Sequence, residues 1–410
     1  MHSSILALTA SLSVAAAVNR GFNYGAVSRD GAVKNEADFT AEFKAAKGLA
    51  NTDGAFSSAR LYTMVQSGTA SDLISAIPAA ISTDTRLMLG LWASSGQTAI
   101  DNEITALKYA ISTYGDKFTS LVNGISVGSE DMYRISKTGL ENDPLGVGAQ
   151  PSEVVEYIKQ VKSVISDAGL SIPVGHVDTW DVWQNGSNAD VIAEADFLGM
   201  NTFPYFQTKE QNSISNGAKL FNDAYDITLA AANGKPVLIT ETGWPVAGKT
   251  SGSSEPSPEN ARSYYEAVGC NQLFGNVETY WYTLVDANAN YANQPEFGVV
   301  GTTMSTEPLF DLSCEANSTT TKSGSASTPA TKSPAPSGTG STAHANLTTG
   351  ASTPAYGYPA ATGSVSTPTA NVTGPASAPS SPAEYTSASS HVRAGTLLAM
   401  VAAAAAFLLV

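Results

Sequence analysis

Four residue types are scarce in this 410-residue chain, and each scarcity excludes something. There are two cysteines and four histidines. A Cys/His metal cluster therefore has too few ligands to draw on, and a disulfide-dense scaffold is excluded. Basic residues number 21 against 36 acidic ones, a formal net charge of −15. Such a surface does not suit nucleic acid or anionic lipid as a direct partner. No Gly-rich phosphate loop follows the first strand-like segment, and Gly-Ile-Ser-Val-Gly at 124–128 matches the Gly-x-Ser-x-Gly pattern only within a strand-like run, not at a strand-to-helix elbow. Nucleotide cofactors and Ser-His-Asp chemistry consequently have no support, and neither a cofactor nor a metal is expected.

The ends of the chain are poor in charge. Residues 1–18 carry an apolar run, with Ala15 and Ala17 at the spacing of a signal cleavage site. The alternative is a short buried helix that opens the fold. Residues 388–410 end in a second apolar run with no polar tail, behind a short polar spacer and the small residues Ser387-Ala388-Ser389. That order reads as a GPI-attachment signal with Ser387 as the anchor residue; the rival is a C-terminal tail anchor. Residues 315–387 are dominated by Ser, Thr, Pro, Ala and Gly, and from 316 to 390 the only charged residues are Lys322, Lys332 and Glu384. So few large apolar groups cannot offset the entropy of ordering a chain, so this stretch reads as a glycosylated stalk. Sequons at Asn185, Asn317, Asn346 and Asn371 fit a secretory route. The expected location is the outer face of the cell membrane through a GPI lipid, the cell wall and the exterior. In that oxidising setting Cys270 and Cys314 are candidates for one disulfide, the alternative being two free buried thiols.

Residues 19–314 remain for one folded domain. Strand-like runs at 22–25, 58–62, 87–92, 124–127, 174–177, 197–201, 237–240 and 279–282 alternate with helix-like stretches. Helices are expected across 103–111, 154–165 and 189–195, with others starting at Ala37, Ala70, Gly217 and Pro258. Asp116, Ser152 and Ser257 stand where caps or turns belong. Eight such repeats over this length predict an α/β fold, a closed parallel (β/α)8 TIM barrel, with an open doubly wound sheet as the alternative.

The segment 236–245, Pro-Val-Leu-Ile-Thr-Glu-Thr-Gly-Trp-Pro, is the most informative in the chain. Its apolar run suits a strand buried on both faces, and it delivers Glu241 to a loop punctuated by Gly243 and Pro245. Residues 124–131 repeat the layout and deliver Glu130. In a barrel, reactive groups sit at the C-terminal ends of strands. Two glutamates there match the needs of glycoside hydrolysis, and a separation of roughly 5–5.5 Å would mean retention of configuration. Glu241 is then the nucleophile and Glu130 the acid and base. The remaining rim is aromatic and polar: Tyr24, Arg60, Tyr62, Trp92, Ser129, Asn201, Tyr205, Trp244 and Trp281 are candidate sugar contacts. Arg60 suits either a charge partner for Glu241 or an ordinary rim ion pair. Asp131 and His176 read as structural residues.

These motifs carry a resemblance. Asn23-Tyr24-Gly25, Arg60-Leu61-Tyr62, Val127 to Glu130, Asn201 to Phe206 and Ile239 to Pro245 are similar to glycoside hydrolase family 17, and the chain's ends resemble those of its fungal wall members. The resemblance implies a (β/α)8 fold, a retaining mechanism, endo-acting hydrolysis of β-1,3-glucan by a monomer, Glu130 as acid/base and Glu241 as nucleophile. Glucanosyl transfer, or a non-catalytic wall adhesin, are the alternatives. Ser129 stands where many relatives in the wider clan place Asn, and Phe203 where plant members tend to carry tyrosine. That departure makes Tyr205 the expected hydroxyl near Glu241.

Overall fold

In the computed structural model, residues 18–286 and 294–314 are described. The proposed leader, the stalk, the anchor signal with Ser387, and the sequons at Asn317, Asn346 and Asn371 lie outside them. Eight strands close into a barrel in sequence order: β1 (Arg20–Tyr24), β2 (Ser58–Leu61), β3 (Arg86–Leu91), β4 (Val122–Ser129), β5 (Val174–Thr179), β6 (Leu198–Asn201), β7 (Val237–Thr242) and β8 (Thr279–Trp281). Every neighbouring pair is parallel, including β8 with β1. The sheet is therefore closed rather than open.

Alternation along the strands fills two layers. Met88, Phe197, Leu238 and Tyr280 form a buried cluster of their own. The opposite faces of the strands, with residues such as Leu89, Ile125 and Ile239, join the larger core with the surrounding helices. Period-2 alternation thus separates the two layers, as a sheet covered on both sides requires.

The helices start where local chemistry satisfies their free N–H groups. Asn35 caps Glu36–Lys47 in a reciprocal capping box with Asp38. Ser257 Oγ accepts from Asn260 N at 3.1 Å at the head of Pro258–Tyr264, a cap worth about 1 kcal/mol. Ser152 is not a cap: Gln150 holds that position, and Pro151 opens the helix Pro151–Asp167. The helix expected from Ala70 starts later, at Ala76. The residues before it form a turn, in which Gln66 takes an N–H from Ser75 and Gly68 has φ 85°. Gln97–Tyr114 and Ile214–Ala232 are longer than their apolar cores indicated.

Cys270 and Cys314 are joined, with Cα atoms 5.3 Å apart and a sequence separation of 44. Closing a loop of that length removes denatured-state entropy worth about 4 kcal/mol in the chain-entropy account. The bond ties the last described segment to the helical residues after Tyr264, where Tyr265 also donates to the Leu312 carbonyl.

Candidate active site

Both glutamates reach one cavity because irregularities in the barrel re-aim them. Between β6 and β7, Met200 pairs with Ile239 but Asn201 pairs with Glu241, so Thr240 is an extra residue. The same insertion recurs against β8, where Ile239 and Thr242 face Thr279 and Trp281. Without it, Glu241 would share the outward face of Ile239; a bulge moves it to the interior. On β4 the register against β5 also slips, between Ser126 and Ser129. Gly128 sits there with φ 84°, and a Cβ on it would meet Asp131 Oδ2 at 2.0 Å. Glycine is required at that point. Glu130 follows, itself left-handed at φ 60°, and its N–H donates to the Val177 carbonyl. A non-glycine residue held there costs of order 1 kcal/mol, a strain typical of functional positions.

The two carboxyls have different neighbours. Glu241 Oε1 accepts from Arg60 Nη1 at 2.7 Å and from the Tyr62 hydroxyl at 2.8 Å. Arg60 is almost fully buried, so this is an interior ion pair and not a rim contact. The same guanidinium reaches Asn23 Oδ1 at 2.8 Å and Ser129 Oγ at 2.9 Å. Burial first, and then the Glu241 charge, hold the Tyr62 hydroxyl well above its usual titration range, so it remains a donor.

Glu130 Oε1 instead accepts from a neutral group, Asn201 Nδ2, at 2.9 Å, and Thr240 Oγ1 fixes the amide by donating to Asn201 Oδ1. Burial, and next the Glu241 charge, push the Glu130 carboxyl far above the ordinary carboxylate range. Arg134 opposes this shift without reversing it. The cavity, of about 320 Å³, is lined by both glutamates with Tyr24, Tyr62, Trp92, Ser129 and Tyr282 among others. Trp92 remains half-buried, with its ring 5.1 Å from the Arg134 guanidinium.

Three expected sugar contacts are elsewhere. Trp281 and Trp244 are each 2% exposed. Trp281 points out of the barrel and packs on Tyr264, Tyr265 and Phe274. Trp244 packs on Tyr264 and donates Nε1 to the Glu255 carbonyl at 3.0 Å. Tyr205 is not the hydroxyl beside Glu241: it donates to the Lys249 carbonyl, and Tyr62 holds that place. Ser129 lines the cavity, but its hydroxyl accepts from Arg60. His176 lies in the interior, with Nδ1 2.6 Å from the Val127 carbonyl and Nε2 3.1 Å from Asp178. Asp131 takes a hydrogen bond from Ser94. Asn185 is exposed.

Two site residues escaped the sequence reading. Asn23 donates to the carbonyls of Tyr280 and Trp281 while accepting from Arg60. Tyr282 takes the cavity position that had been given to Trp281. Alternation through Tyr280, Trp281 and Tyr282 carried that signal, since Tyr280 is in the barrel interior.

Residues 21–301 match the BtgE/BtgC glycoside hydrolase domain. The chain belongs to the BtgE/BtgC glycoside hydrolase family. A probable glucan endo-1,3-beta-glucosidase eglC from Aspergillus oryzae is 54% identical to this family member over 316 residues, 77% of this chain and 67% of that protein. A counterpart from Emericella nidulans is also 54% identical, over 77% and 66% of the two chains. The chain thus spans about two thirds of the length of these relatives. Among solved structures, a glycoside hydrolase family 17 beta-1,3-glucanosyltransferase from Rhizomucor miehei superposes with a TM-score of 0.59 at 29% identity, covering 72% of this chain and 98% of that one.

Proposed function

We propose that the protein is a retaining endo-hydrolase of β-1,3-glucan that works by double displacement. The observation that carries this reading is the contrast between the two carboxyls in one cavity. Two donors, one cationic, converge on a single oxygen of Glu241, which suits a carboxylate poised to attack. Glu130 has burial and a neighbouring negative charge favouring its protonated form, which suits a proton donor.

In the first step Glu241 attacks the anomeric carbon, the glycosidic C–O bond breaks, and the leaving oxygen takes the Glu130 proton. In the second, water gives a proton to Glu130 while its oxygen attacks the anomeric carbon and frees Glu241. The free carboxylate and the proton are both restored.

The substrate class is supported by the relatives, which are probable glucan endo-1,3-beta-glucosidases. A laminaritriose complex of an active-site mutant of the Rhizomucor miehei glucanosyltransferase adds to this support. The same neighbour favours a second reading, in which another glucan intercepts the glycosyl-enzyme in place of water. Digestion of defined laminari-oligosaccharides tests both: shorter products alone mean hydrolysis, longer products mean transfer, and no turnover of β-1,3-linkages overturns the proposal.

The sequence supports export by a leader at 1–18, a catalytic domain at 19–314, a stalk at 315–387 and GPI attachment at Ser387, with the enzyme working as a monomer on wall glucan. N-glycans on Asn185 and the stalk sequons fit that route. Release from membranes by phosphatidylinositol-specific phospholipase is the expected result; retention of a demonstrably cleavable anchor would overturn the attachment.

A further inference from the structure

The cavity holding the two glutamates is also lined by a second buried ion pair, in the segment after β1. Lys34 Nζ lies 2.6 Å from Glu42 Oε1, and the side chains are 5% and 7% exposed. The double displacement needs neither group. Buried pairs stabilise a fold weakly, because desolvating both charges offsets their attraction, so stability alone does not explain one here. The pair is also incompletely satisfied: Glu42 Oε2 is buried with no hydrogen-bond partner among the described residues. Burial outweighs the lysine's attraction and raises the titration of Glu42. An ammonium has three donors, and Glu42 Oε1 engages one of them.

The backbone that presents Lys34 is held from two sides. The Lys34 N–H donates to the Ala26 carbonyl at 3.1 Å, and Gln66 Nε2, from the loop after β2, donates to the Lys34 carbonyl at 2.7 Å. Tyr24 borders the pair closely enough for the Glu42 charge to act on its hydroxyl. A fixed donor with spare capacity thus stands beside a fixed acceptor with spare capacity, next to an aromatic ring. A sugar hydroxyl both accepts and donates, so it matches such a pair; an apolar or purely anionic ligand matches half of it.

We infer that Lys34 and Glu42 form a glucan subsite that binds hydroxyls of the glucosyl unit adjoining the one captured by Glu241. The subsite lies on the retained side of the scissile bond. In the ring of strands, β1 stands two places from β7, which carries the nucleophile, and three from β4, which leads to the proton donor. This inference rests on the β-1,3-glucan reading and deepens it.

The test compares dinitrophenyl β-laminaribioside, which fills both units, with dinitrophenyl β-glucoside, which fills one. In the wild type, kcat/KM for the bioside should exceed that for the glucoside by about tenfold or more. Lys34→Met should collapse that ratio while the glucoside loses much less. If a lone buried Glu42 unfolds this variant, Lys34→Met/Glu42→Leu leaves neither charge unpaired and reads the same ratio, with a thermal melt confirming the fold. A purely structural pair would leave the ratio at its wild-type value in the double variant, and that result overturns the inference, as does a wild-type ratio near one. Failure of the wild type on both laminarin and the bioside would instead overturn the substrate reading.

Discussion

The β4 and β7 ends of the barrel use the same side chain for opposite purposes, and the contrast lies in their neighbours. Glu241 is met by Arg60 and Tyr62, a cation and a hydroxyl aimed at one oxygen. Glu130 is met by the neutral amide of Asn201. The two groups are buried to a similar degree, so burial does not separate their roles. Hydrogen-bond donors do, together with the Glu241 charge acting on Glu130.

The largest test of this contrast removes each carboxyl in turn. Glu241→Ala should lower kcat on laminarin on the order of 10⁴-fold, and azide in the vacated space should yield the α-glucosyl azide. Glu130→Ala should yield the β-azide, because azide then intercepts the glycosyl-enzyme. Identical azide products from the two variants would abolish the distinction. Glu130→Gln should lose about 10²- to 10⁴-fold on laminarin yet far less on dinitrophenyl glycosides, whose departure needs little protonation. Equal losses on both substrates would show that Glu130 does more than deliver a proton.

The next test acts on the cation that sets β7 apart. Arg60→Met strands the Glu241 charge in the interior and should cost about 3–5 kcal/mol of stability. Arg60→Met/Glu241→Leu removes both charges and should recover most of that loss in a denaturant titration. A double variant as unstable as the single one would mean that Arg60 acts chiefly through Asn23 and Ser129.

Sequence carried the barrel and both carboxyls because each leaves a local signal. Apolar runs such as 237–239 mark buried strands, and a glutamate ahead of a Gly- and Pro-rich loop marks a strand end. The inward turn of Glu241 was not legible in that way. By simple alternation it would follow Ile239 outward, and the bulge at Thr240 that corrects this depends on pairing with β6 and β8. Trp281 was misplaced for the related reason that an aromatic at a strand end can face either the helices or the mouth. Trp244 and Tyr205 became packing groups because each has a carbonyl to bond, Glu255 and Lys249, in the loop after β7. Pairings over such distances have no local trace, and the Lys34–Glu42 pair is equally silent in sequence.

The smallest expected effect is the most direct reading of the contrast, because it is measured without substrate. A carboxyl raised in the native state binds its proton more tightly there than in the unfolded chain. Its contribution to stability is therefore present below the ordinary carboxylate range and is lost as pH rises toward the elevated native value. Glu130 has that sign, with burial as the first cause and the Glu241 charge as the second. Glu130→Gln keeps the shape and the contact with Asn201 but cannot ionise. It should match the wild type near pH 4 and be the more stable of the two at pH 8. In a Glu241→Gln background the gain should shrink, because the second largest of its causes is gone. A gain of undiminished size there would assign the elevation to burial and the Asp178 charge. The action of the Glu241 charge on Glu130 would then drop out of the account of how β4 and β7 differ, leaving the donors as the main distinction.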